Sequence, residues 1–351
     1  MTALNTRICA LFGVRYPIVQ TGMGYVSGPG LVAATANAGG LGILSGATMS
    51  YAELRQSIQD TRARTDQPFG VNLRSDAPDA AARARLLIEE GVRVASFALA
   101  PKPELIATLK EAGVVVVPSI GARRHAEKVA GWGADAVVVQ GGEGGGHTGP
   151  VPTSLLLPQV VDAVDIPVVA AGGYFDGRGL VAALAYGASG IAMGTRFLLT
   201  RDSPVPDAVK QRYLAASLTD TVLTDALDGV PQRLLRSEFV ATLIHSGRVR
   251  RLLRSARSAA AFHRQSGTTW RDMVTEGLTM RRERQLALGQ VLLAANTPAL
   301  LRAAMVDGRP EAGVMATGQV VGLLDDLPSC AELIERIVAQ AEDVLKGLNH
   351  A

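Results

Sequence analysis

The chain predicts an α/β protein, a (β/α)8 TIM barrel with an additional helical domain, and three observations carry that expectation. Eight short apolar runs recur roughly every two dozen residues between Pro17 and Met193. Segments with helical period lie between them, and glycine or small polar residues stand just after several of the runs.

The runs are Pro17 to Gln20, Leu41 to Leu44, Phe69 to Leu73, Arg93 to Phe97, Val114 to Pro118, Asp135 to Gln140, Pro167 to Ala171 and Ser189 to Met193. Their near-continuous hydrophobicity, in place of strict alternation, marks parallel strands covered on both faces. Between them, Leu31 to Ala38, Tyr51 to Arg64, Ala80 to Glu90, Glu104 to Ala112 and Arg123 to Gly131 keep helical spacing and often end at glycine. An open, doubly wound sheet has the same local pattern, and the count of eight favours closure. Past Thr200 the rhythm breaks. Residues 204–314 read as arginine-rich helices, a helical insertion domain, so that a barrel of residues 1–203 is completed by residues 315–351. In this last part Ser329 is a plausible N-cap with Glu332 three residues on, opening a helix that returns to close the barrel after its eighth strand.

Composition narrows the class. At 351 residues, 48% hydrophobic and 19% charged, the chain can bury a large core. The longest apolar stretches, such as Val114 to Val117, are strand-sized, and Met1 to Pro17 lacks a signal-peptide layout, so a cytoplasmic protein away from membranes is expected. Cys9 and Cys330 stand far apart without metal-site spacing, and no carboxylate and histidine cluster suggests a metal. A net charge of +3 with 4% aromatic residues argues against nucleic acid.

A barrel of this kind keeps its chemistry at the C-terminal ends of its strands. There stand Gln20-Thr21-Gly22-Met23-Gly24, Asn72, Ser119, Gln140 with Gly141-Gly142-Glu143-Gly144-Gly145-Gly146-His147-Thr148-Gly149, Ala171-Gly172-Gly173 and Gly194-Thr195-Arg196. The last two groups follow the seventh and eighth strands, the usual phosphate station of the fold, and a monophosphate suits them better than a nucleoside triphosphate. Gly144-x-Gly146-x-x-Gly149 formally matches a dinucleotide fingerprint, but Pro150 and Pro152 occupy the place where the following helix should run. His147 reads either as a solvated loop histidine or as a proton carrier at the strand end, and its place within the glycine turn favours the second. Glu143 reads equally as a second proton carrier or as an acceptor for the N–H groups of its own turn. His125, His245, His263 and His350 lie in helical or terminal contexts and are expected on the surface.

Gln20-Thr21-Gly22-Met23-Gly24, Phe69-Gly70-Val71-Asn72, the Gly142 to His147 stretch, Ala170-Ala171-Gly172-Gly173 followed by Asp176-Gly177-Arg178-Gly179, and Met193-Gly194-Thr195-Arg196-Phe197 together resemble the FMN-dependent nitronate monooxygenase (2-nitropropane dioxygenase-like) family. The match runs through the barrel in order. The resemblance implies FMN with its phosphate on Gly172, Gly173, Gly194 and Thr195 and its ring over Gly22-Met23-Gly24. It also implies polar contacts from Asn72 and Gln140, a lining completed by Thr21, Gly145, Gly146 and Ala171, and His147 beside the flavin as the catalytic residue. A homodimer is a further family-level expectation. Thr35 to Leu44, Val94 to Lys102 and Leu278-Thr279-Met280-Arg281 are similar to one branch, the actinobacterial flavin dehydrogenases of steroid-ring degradation. That branch implies a CoA thioester of the steroid CD-ring remnant as substrate and a new double bond beside the thioester.

Arg248, Arg250, Arg251, Arg254, Arg257 and Arg264 crowd one stretch, with Arg281, Arg282 and Arg284 beyond it. They read either as partners for the CoA phosphates, with Arg248, Arg251 and Arg254 as substrate-binding candidates, or as a solvated basic face. Oxidation of alkyl nitronates by O2, FMN-dependent reduction of an enoyl thioester, and flavin binding without chemistry are the alternatives.

Overall fold

The computed structural model describes residues 4–245 and 297–349. All eight apolar runs are strands: β1 (Ile18–Gln20), β2 (Leu41–Ser45), β3 (Gly70–Leu73), β4 (Val94–Phe97), β5 (Val115–Ile120), β6 (Val137–Gln140), β8 (Val168–Ala171) and β9 (Gly190–Met193). A two-residue strand, β7 (Gly146–His147), interrupts the count and belongs elsewhere. The eight form a closed parallel barrel in chain order, sealed where Ile18, Val19 and Gln20 pair with Ile191, Ala192 and Met193.

The barrel is packed, not hollow. Val19, Leu41, Ile43, Val94, Val115, Val117, Val138 and Val169 share one buried cluster. α1 (Arg7–Phe12) inserts Ile8 and Phe12 into the same cluster, both almost wholly buried. Side chains of that size contribute about 1.5–3 kcal/mol each on burial. The N-terminal end of the barrel is thereby plugged, and the opposite end is left for the site.

The outer helices are α2 (Pro29–Asn37), α3 (Tyr51–Arg62), α4 (Ala80–Glu89), α5 (Pro103–Glu111), α6 (Arg123–Gly131), α7 (Thr153–Val161) and α8 (Gly177–Ala185). Their starts follow capping chemistry. Ser50 and Glu53 form a reciprocal capping box on α3, and the Asp176 carboxylate accepts the Gly179 N–H at 3.0 Å on α8. α9 (Thr195–Leu198) is a single turn after β9, followed by α10 (Asp207–Leu214), α11 (Glu238–His245) and α12 (Thr297–Met305).

The long last helix, α13 (Cys330–Asn349), starts at the expected capping box: Ser329 N donates to Glu332 at 2.8 Å and Glu332 N to Ser329 Oγ at 3.2 Å. It buries Ile334, Ile337, Val338 and Ala341 in one cluster with Leu180, Val181 and Ala183 of α8 and Leu31 of α2. A Cβ on Gly177 would lie 2.4 Å from the Ala341 nitrogen, so glycine there permits this close crossing. α13 thus closes the outer ring between α8 and α2.

Between the barrel and α13 the expectation of helices throughout needs correction. Thr221–Thr224 and Gln232–Leu235 are strands, β10 and β11, which pair antiparallel with each other, and β11 also pairs antiparallel with β7. Each is short and punctuated by polar residues, and its stability comes from nonlocal partners and from a small core of Ala226, Leu227, Leu234, Val240, Leu243 and Val314. Among the described residues no helix is long and apolar enough to cross a membrane, and no group of His, Cys, Asp or Glu could hold a metal ion.

Candidate active site

The C-terminal strand ends draw the expected residues into one chain of contacts. After β1, Thr21 N and Thr21 Oγ1 both donate to the Met193 carbonyl at 3.2 and 3.4 Å, tying this loop to the end of β9. Ser27 Oγ accepts Met23 N at 2.9 Å and donates to the Thr21 carbonyl at 2.9 Å, which holds the turn through Gly22 and Gly24. A Cβ on Gly22 would come 2.5 Å from the Asn72 Cβ, and one on Gly194 would meet Thr21 Oγ1 at 3.3 Å and Met23 Sδ at 3.4 Å. Asn72 itself is buried and donates to Ser96 Oγ at 3.3 Å.

After β8 the chain turns through Gly172 and Gly173 at φ +103° and +84°, a left-handed region that side chains other than glycine rarely adopt. The Gly172 carbonyl accepts Thr153 Oγ1 at 3.1 Å, and the Ala171 carbonyl accepts Gly141 N at 3.0 Å. These bonds join the β8 and β6 loops. Thr195 Oγ1 accepts Gly318 N at 2.9 Å.

The glycine loop after β6 is held from several sides. Gln140 Nε2 reaches forward to the His147 carbonyl at 2.9 Å, and there is no room for a side chain on Gly144 against it. A Cβ on Gly145 would sit 2.5 Å from the Thr317 carbonyl carbon and 2.6 Å from Gly318 N, so the returning chain lies directly on this glycine. Gln319 N donates to the Glu143 carbonyl at 2.9 Å, and Arg233 donates to the Gly142 carbonyl at 2.8 Å. Burial lowers the Arg233 pKa, opposed by the Glu143 carboxylate. Gly146 and His147 form β7, with Gln232 directly opposite His147 on the same sheet face. Gln232 is buried, and its Nε2 has no hydrogen-bond partner among the described residues.

His147 Nε2 lies 2.7 Å from Asp228 Oδ2. The imidazole is 55% exposed and the carboxylate 9%, so the ring can be reached from solvent while its partner is shielded. Glu143 accepts Thr153 N at 2.9 Å and Thr153 Oγ1 at 2.7 Å. It is therefore an acceptor for the first turn of α7 and not for its own turn; a carboxylate there also complements the helix dipole. Burial raises the Tyr174 pKa, reinforced by Glu143, so at neutral pH this phenol beside Gly173 keeps its proton.

The residues Thr21, Gly22, Met23, Gly24, Asn72, Gln140, Gly145, Gly146, His147, Ala171, Gly172, Gly173, Gly194 and Thr195 therefore gather at one end of the barrel. Arg248, Arg251 and Arg254, with Arg250, Arg257, Arg264, Arg281, Arg282, Arg284, His263, His350 and the Leu278 to Arg281 stretch, lie outside the described residues. Asp228, Gln232, Arg233 and the Thr317-Gly318-Gln319 segment were not singled out from sequence as site residues; each acts through a long-range contact that no local motif announces.

The mouth fits a flat cofactor with a phosphate. Its loops approach one another through positions without side chains, two successive glycines in left-handed conformation follow β8, and Asn72 and Gln140 are the polar side chains at the ends of β3 and β6.

Comparison with known proteins agrees. A protein of Rhodococcus jostii strain RHA1 named (3aS,4S,5R,7aS)-5-hydroxy-7a-methyl-1-oxo-octahydro-1H-indene-4-carboxyl-CoA dehydrogenase is 62% identical over 341 residues, 97% of each chain. Its namesake from Mycobacterium tuberculosis strain H37Rv is 63% identical over 341 residues, 96% of each. The structure of FabK from Thermotoga maritima superposes with a TM-score of 0.80 at 34% identity, covering 99% of both chains. The nitronate monooxygenase family model matches residues 5–340, and the chain belongs to that family of flavin-dependent oxidoreductases.

Proposed function

We propose that this chain is an FMN-dependent dehydrogenase that introduces an α,β double bond into the CoA thioester of the steroid CD-ring remnant, 5-hydroxy-7a-methyl-1-oxo-octahydroindene-4-carboxyl-CoA, in steroid catabolism. The observation that carries the reading is identity of 62% and 63% to two proteins of that name, over alignments that cover 97% and 96% of this chain. The glycines after β8 and β9 stand on adjacent strands and would hold the FMN phosphate. A homodimer in the cytoplasm belongs to the same reading.

The chemistry starts from the thioester, whose carbonyl acidifies the neighbouring C–H. His147 takes that α-proton, its exposed ring standing at the mouth. Backbone N–H groups of the glycine loop steady the thioester oxygen as negative charge grows there. FMN, when bound, supplies the acceptor for the hydrogen and electron pair of the β C–H bond. Gly22, Met23, Gly24 and Gln140 would orient the reactants, and Thr195, Gly172 and Gly173 would hold the cofactor phosphate.

Anaerobic mixing of the yellow protein with the thioester tests this. Loss of flavin colour without oxygen supports the dehydrogenase. Reduction by alkyl nitronates alone replaces it with a nitronate monooxygenase.

A further inference from the structure

We propose that Asp228 is the positioning residue of His147, fixing its ring so that Nδ1, and not Nε2, receives the substrate proton. The proposal rests on the reading of His147 as base.

Both partners are held independently of each other. Asp228 sits in the turn between β10 and β11, where its Oδ1 accepts Val230 N at 3.1 Å. Gly229 follows at φ +82°, and Ala226 and Leu227 anchor the turn in the small core. Oδ2 is thereby directed at His147 Nε2, at 2.7 Å. On the other side, the His147 backbone is fixed by pairing with Gln232 and by the Gln140 amide on its carbonyl. Among the described residues nothing hydrogen-bonds His147 Nδ1.

A carboxylate can only accept, so the proton of the neutral imidazole resides on Nε2 and the lone pair on Nδ1. The same geometry makes asparagine a poor substitute. In an Asp228→Asn variant the amide oxygen must stay on the Val230 N–H, since an NH2 there would face another donor. That leaves the NH2 pointing at Nε2, which must then accept, and the imidazole proton moves to Nδ1, where the substrate needs a lone pair. Alanine removes the restraint without imposing the wrong tautomer.

The expected order of anaerobic flavin reduction is therefore wild type above Asp228→Ala, with Asp228→Asn at or below the alanine variant and about 10²-fold or more below wild type. The fall is expected in the limiting rate and not in half-saturation by thioester. If Asp228 only braced its turn, asparagine would keep the Val230 bond and run near wild type, with alanine the worse variant; that order overturns the proposal. Nitrogen-15 NMR of the imidazoles in the oxidised, FMN-loaded full chain provides a readout without substrate, with His147→Ala assigning the signal. An unprotonated Nδ1 in wild type that becomes protonated in Asp228→Asn supports the proposal, and a protonated Nδ1 in wild type overturns it. Should no thioester reduce the flavin, or His147→Ala reduce it at full rate, the base reading falls, while the imidazole spectrum still decides whether Asp228 sets the tautomer.

Discussion

The loops after β6 and β8 are neighbouring glycine turns on adjacent strands that share Thr153, bonded to the Glu143 carboxylate and to the Gly172 carbonyl, yet each has further supports of its own. The β8 loop is fixed by its own barrel surroundings: Thr153 on the Gly172 carbonyl, the Asp176 cap of α8, and α13 packed behind that helix. The β6 loop is made into a strand by β11, with Arg233 and Gln319 holding its carbonyls and Asp228 its histidine. Neighbours along a sheet can share one support and differ in the rest. On the proposed function, the β8 half of the mouth would hold the cofactor phosphate, and the β6 half would take its proton-handling geometry from β10, β11 and the turn between them.

If that division is right, His147→Ala separates the two halves most sharply. Substrate-dependent flavin reduction should fall about 10²- to 10⁴-fold while bound FMN, read by absorbance after desalting, stays near stoichiometric. Loss of both together would mean that the loops do not divide the work. Gly145→Ala should damage both halves, because the added methyl meets backbone of Thr317 and Gly318, the segment that also reaches Thr195. A loss of about 1–3 kcal/mol in denaturant unfolding, with weakened FMN binding, is expected. Wild-type stability would show that the contact yields easily.

Gly172→Ala strains the binding half first, and its methyl would also meet Thr153 Oγ1 at 2.9 Å and the Gly141 carbonyl at 3.1 Å. Its φ of +103° costs a side chain about 1–2 kcal/mol, so FMN affinity should weaken about tenfold, with a smaller fall in the rate of FMN-saturated protein. The smallest effect lies behind the β8 loop, at the start of α13. The Ser329 N–H first and then Arg201 push the Glu332 pKa down to about 2 from 4.5. A depressed carboxyl stabilises fully above pH 4.5 and loses that contribution as pH falls through about 2. Acid titration should therefore show Glu332→Gln approaching wild type below about pH 2, and an undiminished gap there would contradict the carboxylate's part in the cap.

The same contrast explains what could be read in advance. Each barrel strand is buried on both faces, so Val137-Val138-Val139 or Val168-Val169-Ala170 announces itself through apolar content alone, and closure follows from the number of such runs. The glycines after β8 and β9 inherit meaning from their place in that count. The supports of the β6 loop have no comparable signal. Thr221 to Thr224 and Gln232 to Leu235 are strands only because they meet each other and β7, and the Gly146-His147 pair is too short for any periodicity. Asp228 is one acid among many until the turn between β10 and β11 brings its carboxylate to an imidazole. Glu143 illustrates the intermediate case, where the residue stood out but its partner, Thr153, lay beyond the turn.

The returning segment at Thr317 to Gln319 has a consequence for synthesis. His147 waits for a partner 81 residues later, and Thr195 for one 123 residues later. A nascent chain that has emerged as far as Met193 already contains every barrel strand, whereas the groups that set its histidine and clasp its rim are still to be made. The clasp on Thr195 is therefore the last of these contacts the growing chain can close, so a prematurely ended product carries every barrel strand with its rim unclasped.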